Sequence, residues 1–332
     1  MSFRFAFFVV ILCCLFASCE KVVEVDFDDN KHVMVLNAVP SEGSQLFVNF
    51  AYSRFFLDTN IVHPVAGANI SIDVNGTRLT PSQVVKCNYF FPYTLQADDQ
   101  LRLSISANGQ TITADTYVPR PPQISSVEAH IDTFQALTLL NIDFDLADHA
   151  NYRDLYHFSI ICRDSGQRHN PYTEEIDQVD TVTNEMFLCF DQAITSSAVS
   201  VSKPLAGYFY NRLMTIDSLI DGQNHHVRLM VVMLKDTNEI EPYRHYYTLD
   251  VETVTPDRYK YLQDVNKATS MMMLFTDPIP IYTNVKGAYG IFAGNARRQF
   301  ALNPDTLAAP MTVSLPPAPE MQAMLRSARL NR

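Results

Sequence analysis

The sequence predicts a mainly β protein built from two consecutive β-rich domains, and three observations carry that prediction. Apolar residues recur with period two: Ile70, Ile72 and Val74 alternate with Asn69, Ser71 and Asp73, and Leu101, Leu103 and Ile105 alternate with Arg102, Ser104 and Ser106. This is the pattern of strands covered on one face. Phe 21 and Tyr 16 against Gly 10 bias the composition toward strand formers and away from glycine-rich phosphate loops. Finally, Pro119-Arg120-Pro121-Pro122 cannot continue a hydrogen-bonded ladder but suits a stiff linker, so a domain boundary is expected at residue 119.

The first element lies before both domains. Arg4 is the one charge ahead of an apolar run over residues 5–16, too short for a hydrocarbon core that takes about 20 residues. Residues 1–18 therefore read as a signal peptide. The run ends in Phe16-Ala17-Ser18-Cys19, which resembles the lipobox at which bacterial lipoproteins are cleaved and acylated, making Cys19 the lipid anchor. A plain secretory signal is the other reading. Residues 19–30 follow as a tether made acidic by Glu20, Glu24, Asp26, Asp28 and Asp29. They lack the spacing and turn glycine of a calcium loop, and two readings stand for them: a solvated spacer, or a sorting signal toward the cell surface. A net charge of -11 excludes the phosphate neutralisation that nucleic-acid binding requires.

Residues 31–119 form the first domain. Asn108-Gly109 supplies the positive φ angles of a two-residue hairpin between the run ending near Ser106 and the one starting at Gln110. With segments over 33–39, 45–56 and 89–95, about six strands fall at the spacing of an immunoglobulin-like β-sandwich.

Residues 120–303 form a larger β-rich domain with one or two short helices. Leu140, Ile142, Phe144 and Leu146 mark an amphipathic strand, and further strands are expected over 155–163, 184–190, 227–234 and 243–252. The segment 227–234 is apolar on both faces and should be central. The polar stretch 167–180 reads as a surface loop. A helix starts where Thr255 can cap and Pro256 suits the first turn, with Tyr259, Leu262 and Val265 on one face to pack against a sheet. Pro310, Pro316, Pro317 and Pro319 make 304–332 a Pro-rich extended tail.

Catalytic patterns are missing. The sequence contains no His-Glu-x-x-His, Gly-x-Ser-x-Gly, Walker or Cys-x-x-Cys arrangement, which removes the common zinc-protease, α/β-hydrolase and nucleotide-hydrolase readings. Ser200-Val201-Ser202-Lys203 matches Ser-x-x-Lys without its companion elements. His225 and His226 are neighbours on a strand, point to opposite faces and cannot share an ion. No catalytic residue, cofactor or metal is expected. Export leaves Cys87, Cys162 and Cys189, and two readings stand for the last two: a disulfide, or buried thiols. Aromatic runs supply the candidate ligand or partner contacts, Tyr89, Phe91, Tyr93, Tyr208, Tyr210 and Tyr246, because consecutive aromatics on a strand cannot all face inward. Cross-strand packing is the alternative. Asp180-Thr181-Val182, Asp217-Ser218-Leu219 and Asp305-Thr306-Leu307 resemble a bacterial O-glycosylation sequon.

Several blocks resemble one family in order and spacing. They are Ile216-Asp217-Ser218-Leu219-Ile220-Asp221-Gly222, then Pro256-Asp257-Arg258-Tyr259-Lys260-Tyr261-Leu262, then Asp277-Pro278-Ile279-Pro280-Ile281-Tyr282-Thr283-Asn284-Val285 followed by Gly287-Ala288-Tyr289-Gly290-Ile291-Phe292. Ala66-Gly67-Ala68-Asn69-Ile70 and Thr113-Ala114-Asp115-Thr116-Tyr117-Val118-Pro119 agree more loosely. The chain is similar to Bacteroidetes outer-membrane lipoproteins with domain of unknown function 4249. It departs at Asp98-Asp99-Gln100, where such proteins carry a Gly-containing turn. The resemblance implies a lipoprotein anchored in the outer membrane by its N-terminal lipid, on the cell-surface or periplasmic side, and assigns it no chemistry; with Cys19 and the two β domains it leads to the expectation of a non-enzymatic protein. It also implies a TonB-dependent receptor as partner, for nutrient capture or receptor stabilisation, with the ligand unspecified. The alternatives are a surface hydrolase with an interdomain site, or a cell-envelope adhesion or structural module.

Overall fold

The computed structural model describes residues 32–54, 63–134, 137–173, 175–189, 191–196, 199–200, 209–233, 238–269 and 280–302. The signal peptide, Cys19, the tether and the tail lie outside them, as do Tyr208, Val201 to Lys203, and Thr306. The first strands are β1 (Met34–Ala38), β2 (Gln45–Tyr52), β3 (Asn69–Val74), β4 (Thr77–Leu79), β5 (Gln83–Val85), β6 (Asn88–Thr94), β7 (Gln100–Ala107) and β8 (Gln110–Tyr117). There follow β9 (Gln123–Phe134), β10 (Leu137–Ala147), β11 (Leu155–His169), β12 (Ile176–Asn184), β13 (Phe187–Cys189), α1 (Gln192–Ser196), β14 (Val199–Ser200), β15 (Phe209–Tyr210) and β16 (Leu213–Ile216). The last are β17 (Asn224–Met233), β18 (Glu239–Val254), α2 (Pro256–Thr269), β19 (Tyr289–Phe292) and β20 (Asn295–Leu302). The fold is all-β with sandwich-like layering, as expected, and no described helix is long and apolar enough to cross a membrane.

In the first sandwich, β19-β1-β2-β6-β5 faces β4-β3-β7-β8. The alternating stripes meet between them, burying Leu36, Phe50, Ile72, Phe91, Leu103 and Ile105. Asn108 and Gly109, with φ of 51° and 71°, make the expected two-residue reversal between β7 and β8. The Asp98 departure leaves the turn in place. Asp98 takes φ 68°, a conformation aspartate tolerates better than most side chains, and pairs with Arg120 at 3.0 Å. Buried Asp99 accepts from Asn75 Nδ2, Tyr93 Oη and the Gln96 amide.

The second sandwich sets β15-β13-β17-β10-β9 against β14-β16-β11-β18-β20. Phe144, Phe158, Ile160, Leu229 and Leu249 fill its interior. The strand β17 is central, as its two apolar faces predict. The stretch 167–180 is not a loop: β11 continues to His169 and returns as β12, with Ser165 opposite Asp180. Its hairpin is polar because both faces are largely exposed, so hydropathy alone disguised it. The Asp217 to Gly222 block is a latch. Asp217 Oδ2 accepts from the Asp154 amide at 2.6 Å, Asp221 Oδ1 from the Asn151 amide at 3.1 Å, and the Gly222 amide donates to Asp148 Oδ2 at 2.9 Å. These bonds tie the β10–β11 connection to the one before β17.

A boundary at residue 119 describes the first crossing between sandwiches but not the second. Although β19 comes from the stretch assigned to the later domain, it pairs parallel with β1, Leu36 opposite Gly290. The pairing covers a sheet edge whose backbone groups would otherwise lack partners. Gly290 has φ +107°, and a Cβ there would land on the carbonyl oxygen of Leu36. The chain then returns through Ala293, whose amide donates to Ala38 O, Gly294, whose amide donates to Thr116 Oγ1, and Asn295, whose amide donates to Pro40 O. With Arg298 on Glu42 at 2.9 Å and the Arg120 guanidinium 5.3 Å from the centre of the Tyr152 ring, this double connection braces one sandwich against the other.

Candidate functional site

The strands β11 and β18 form the middle of one sheet of the second sandwich, and their odd-even alternation sends Phe158, Ile160, Leu249 and Val251 into the core. The opposite face must then carry His157, Ser159, Asp250 and Glu252. Register sets these in rows: His157 stands opposite Glu252 and Glu252 opposite Arg297, while Ser159 stands opposite Asp250. The helix α2 covers one end of this face. Tyr259 and Leu262 pack on Leu155, Met214 and Val254, and Thr255 Oγ1 accepts from the Arg258 amide at the expected cap. Where the helix stops covering, a cleft of about 270 Å³ remains, lined by His157, Ser159, Asp250, Glu252, Arg258, Arg297 and Arg212 among others.

Glu252, 2% exposed, is the centre of the cleft's electrostatics. Its Oε2 lies 3.1 Å from His157 Nδ1 and 3.4 Å from Arg258 Nη2. Its Oε1 accepts from Asn295 Nδ2 at 3.0 Å and lies 3.2 Å from Arg297 Nε. Burial by itself raises its pKa, but His157, Arg258 and Arg297 outweigh burial and hold the carboxyl well below its usual range. Asp250 moves the other way. Burial pushes it up, Glu252 adds to the rise, and Arg297, 3.0 Å away, opposes it. A carboxylate only accepts, so His157 donates to Glu252 from Nδ1, and the ring nitrogen left over is Nε2. That nitrogen is buried and makes no hydrogen bond among the described residues.

None of the sequence-chosen contacts among the described residues lies here. Tyr89 and Phe91 are core residues of the first sandwich and Tyr210 of the second, because their strand positions face inward; the packing alternative holds for them. The half-buried Tyr93 donates to Asp99 at 3.2 Å, and Tyr246 is 49% exposed on β18. Tyr208 and Cys19 lie outside the described residues. Cys162 and Cys189 are free buried thiols rather than a disulfide, since the Cys162 thiol turns to Asp164 Oδ1 at 3.2 Å. His225 and His226 serve different carboxylates, Asp191 and Asp145, as opposite faces demand. Thr181 and Ser218 are exposed. A second cleft, about 570 Å³, lies between the sandwiches beside Asp98, Arg120, His149 and Arg298. There His149 Nδ1 sits 2.9 Å from Asp154 Oδ2. Metal-ligating types converge elsewhere, at Cys162, Asp164 and His245.

Sequence reasoning missed the charged cleft. Its one local signal was polar residues spaced by two within strongly apolar strands, His157 and Ser159 on one, Asp250 and Glu252 on the other. A comparison with curated proteins finds no match. The sequence profile of one family matches residues 20–300, a span that holds both sandwiches, the latch, the capped helix and the returning strand. The chain therefore belongs to the family described as domain of unknown function (DUF4249).

Proposed function

We propose that this protein is a non-enzymatic, lipid-anchored accessory protein of an outer membrane. It works beside a TonB-dependent receptor and holds a small anionic ligand in the cleft between α2 and the sheet. One observation carries the ligand class: Arg212, Arg258 and Arg297 converge on a cleft whose two carboxylates are Glu252, already engaged by four donors, and Asp250, whose charge is disfavoured. Arg212 makes no hydrogen bond or ion pair among the described residues, so its guanidinium remains available to a carboxylate or phosphate group. Cys19 after a short apolar run supports the anchor. Native pull-down from detergent-solubilised membranes tests the partnership. A β-barrel receptor is expected to co-purify with the wild type, and repeated pull-downs without one remove that part of the proposal. Loss of palmitate-analogue labelling in Cys19→Ala tests the anchor.

A second reading, a surface hydrolase, is favoured by His157, whose ring is oriented through Nδ1 by Glu252 and whose buried Nε2 makes no hydrogen bond among the described residues. Turnover of a nitrophenyl ester or glycoside panel that disappears in His157→Gln would establish it; no turnover leaves the accessory reading.

A further inference from the structure

On the inner face of the same sheet the alternation that buries Phe158, Ile160 and Cys162 continues to Asp164, and on β18 the series Leu249 and Tyr247 continues to His245. The hairpin formed by β11 and β12 runs past the end of the sandwich core here, so the inner face changes from apolar to polar within one residue pair. Asp164 stands directly opposite His245, and Cys162 is its neighbour two residues back on the same face. The three offer Sγ, a carboxylate oxygen and a ring nitrogen, all within 4.8 Å of one another. His245 Nδ1 lies 2.7 Å and Cys162 Sγ 3.2 Å from the same oxygen, Asp164 Oδ1. The other ring nitrogen, Nε2, lies 3.4 Å from Glu239 Oε1.

We infer that Cys162, Asp164 and His245 bind one divalent transition-metal ion of the zinc class, with Glu239 orienting the histidine from behind. Thiolate, imidazole and carboxylate together suit zinc or cobalt and not calcium or magnesium, which take oxygen ligands. A tetrahedral ion about 2.0–2.3 Å from each donor separates the donors by about 3.5 Å, so small side-chain movements suffice. A carboxylate behind a ligating histidine is the usual outer partner of such a site. On binding, the Cys162 S–H bond breaks, its proton goes to solvent, and a metal–sulfur bond forms with no change of oxidation state. Three protein ligands leave a fourth position for water, on the side where Asp164 and His245 are partly exposed.

The test is titration of Co2+ into the metal-free mature chain carrying Cys19→Ser, so that Cys87, Cys162 and Cys189 are its thiols. One equivalent is expected to bind with a near-ultraviolet thiolate-to-cobalt band, and Zn2+ should displace it. Cys162→Ala should abolish the band, Asp164→Asn and His245→Ala should each weaken binding at least tenfold, and Glu239→Gln should weaken it about 10–100-fold. If Cys162→Ala fails to fold, the two rim variants decide. Absence of the band at millimolar Co2+, its persistence in Cys162→Ala, or unaltered affinity in both rim variants overturns the site.

Discussion

Asn284 grips Phe292 by both of its backbone groups: Asn284 Nδ2 donates to the Phe292 carbonyl at 2.7 Å, and the Phe292 amide donates to Asn284 Oδ1 at 3.0 Å. One side chain thus imitates a neighbouring strand at the end of β19. Asp257 at the start of α2 accepts from Asn284 Nδ2 at 3.2 Å and from Tyr282 Oη at 2.6 Å, joining the helix to the same clamp. Asn284→Ala removes both backbone bonds and is expected to destabilise the protein by about 2–3 kcal/mol. Asn284→Asp keeps the acceptor but sets an oxygen against the Phe292 carbonyl, and should be no milder. Urea denaturation of the two variants checks this, and a loss below about 0.5 kcal/mol in both would show the clamp to be idle.

Gly294 marks the second crossing between sandwiches, and a Cβ there would meet the Tyr117 carbonyl oxygen. The Tyr117 backbone with the Pro119 ring beside it leaves little room to yield. Gly294→Ala should therefore lower the melting temperature far more than the same change at Gly76, where nothing lies within 4 Å, even though Gly76 has the positive φ of 85°. Equal melting temperatures for the two variants would contradict the close packing of the junction.

The two carboxyls of the cleft carry opposite pH signatures. Glu252 is held below its ordinary 4.5 in the folded state, so its stabilisation is complete above that value and is lost as the pH falls toward the folded pKa. Asp250 is raised; its ionised form costs stability at neutral pH, and the cost is relieved as the pH falls through its raised pKa. Glu252→Gln is expected to cost about 3–5 kcal/mol at pH 7, because it breaks a buried charge network, and to flatten the acid limb of the stability curve. Asp250→Asn should be neutral or stabilising at pH 7. Comparable losses in both variants at pH 7 would refute the assignment.

The three described cysteines are buried, and burial raises the thiol pKa of each, with Asp164 adding to the rise at Cys162. In the native mature chain none of these thiols should react with a disulfide reagent at pH 8 over minutes. After unfolding without reductant, Cys87, Cys162 and Cys189 should all titrate. Recovery of Cys87 alone would mean that Cys162 and Cys189 are bridged.

Occupancy of the arginine cleft is checked by thermal unfolding in the presence of phosphate or citrate. Wild type should melt several degrees higher at millimolar anion, and Arg212→Ala should lose most of that gain while keeping its anion-free melting temperature. An equal gain in the variant would locate the anion elsewhere.

Much of the scaffold was legible along the chain. Ile70 to Val74, Leu101 to Ile105 and Leu140 to Leu146 announced strands, Asn108-Gly109 its hairpin and Thr255-Pro256 its helix, because periodicity, turn conformation and capping are properties of residues adjacent in sequence. Exposure of the aromatics was not legible at that level: Phe91 and Tyr246 sit in similar runs, yet one is fully buried and the other half open.

The sequence by itself determined the β class, the strand faces and the family. Only the tertiary structure decided that β19 closes the first sandwich against β1, that His157, Glu252 and Arg297 stand in one row, and that Cys162 meets His245 instead of Cys189. Those outcomes depend on register between distant strands. Register is set by burying whole faces of a sheet at once, since a slip of one residue turns every side chain to the wrong side.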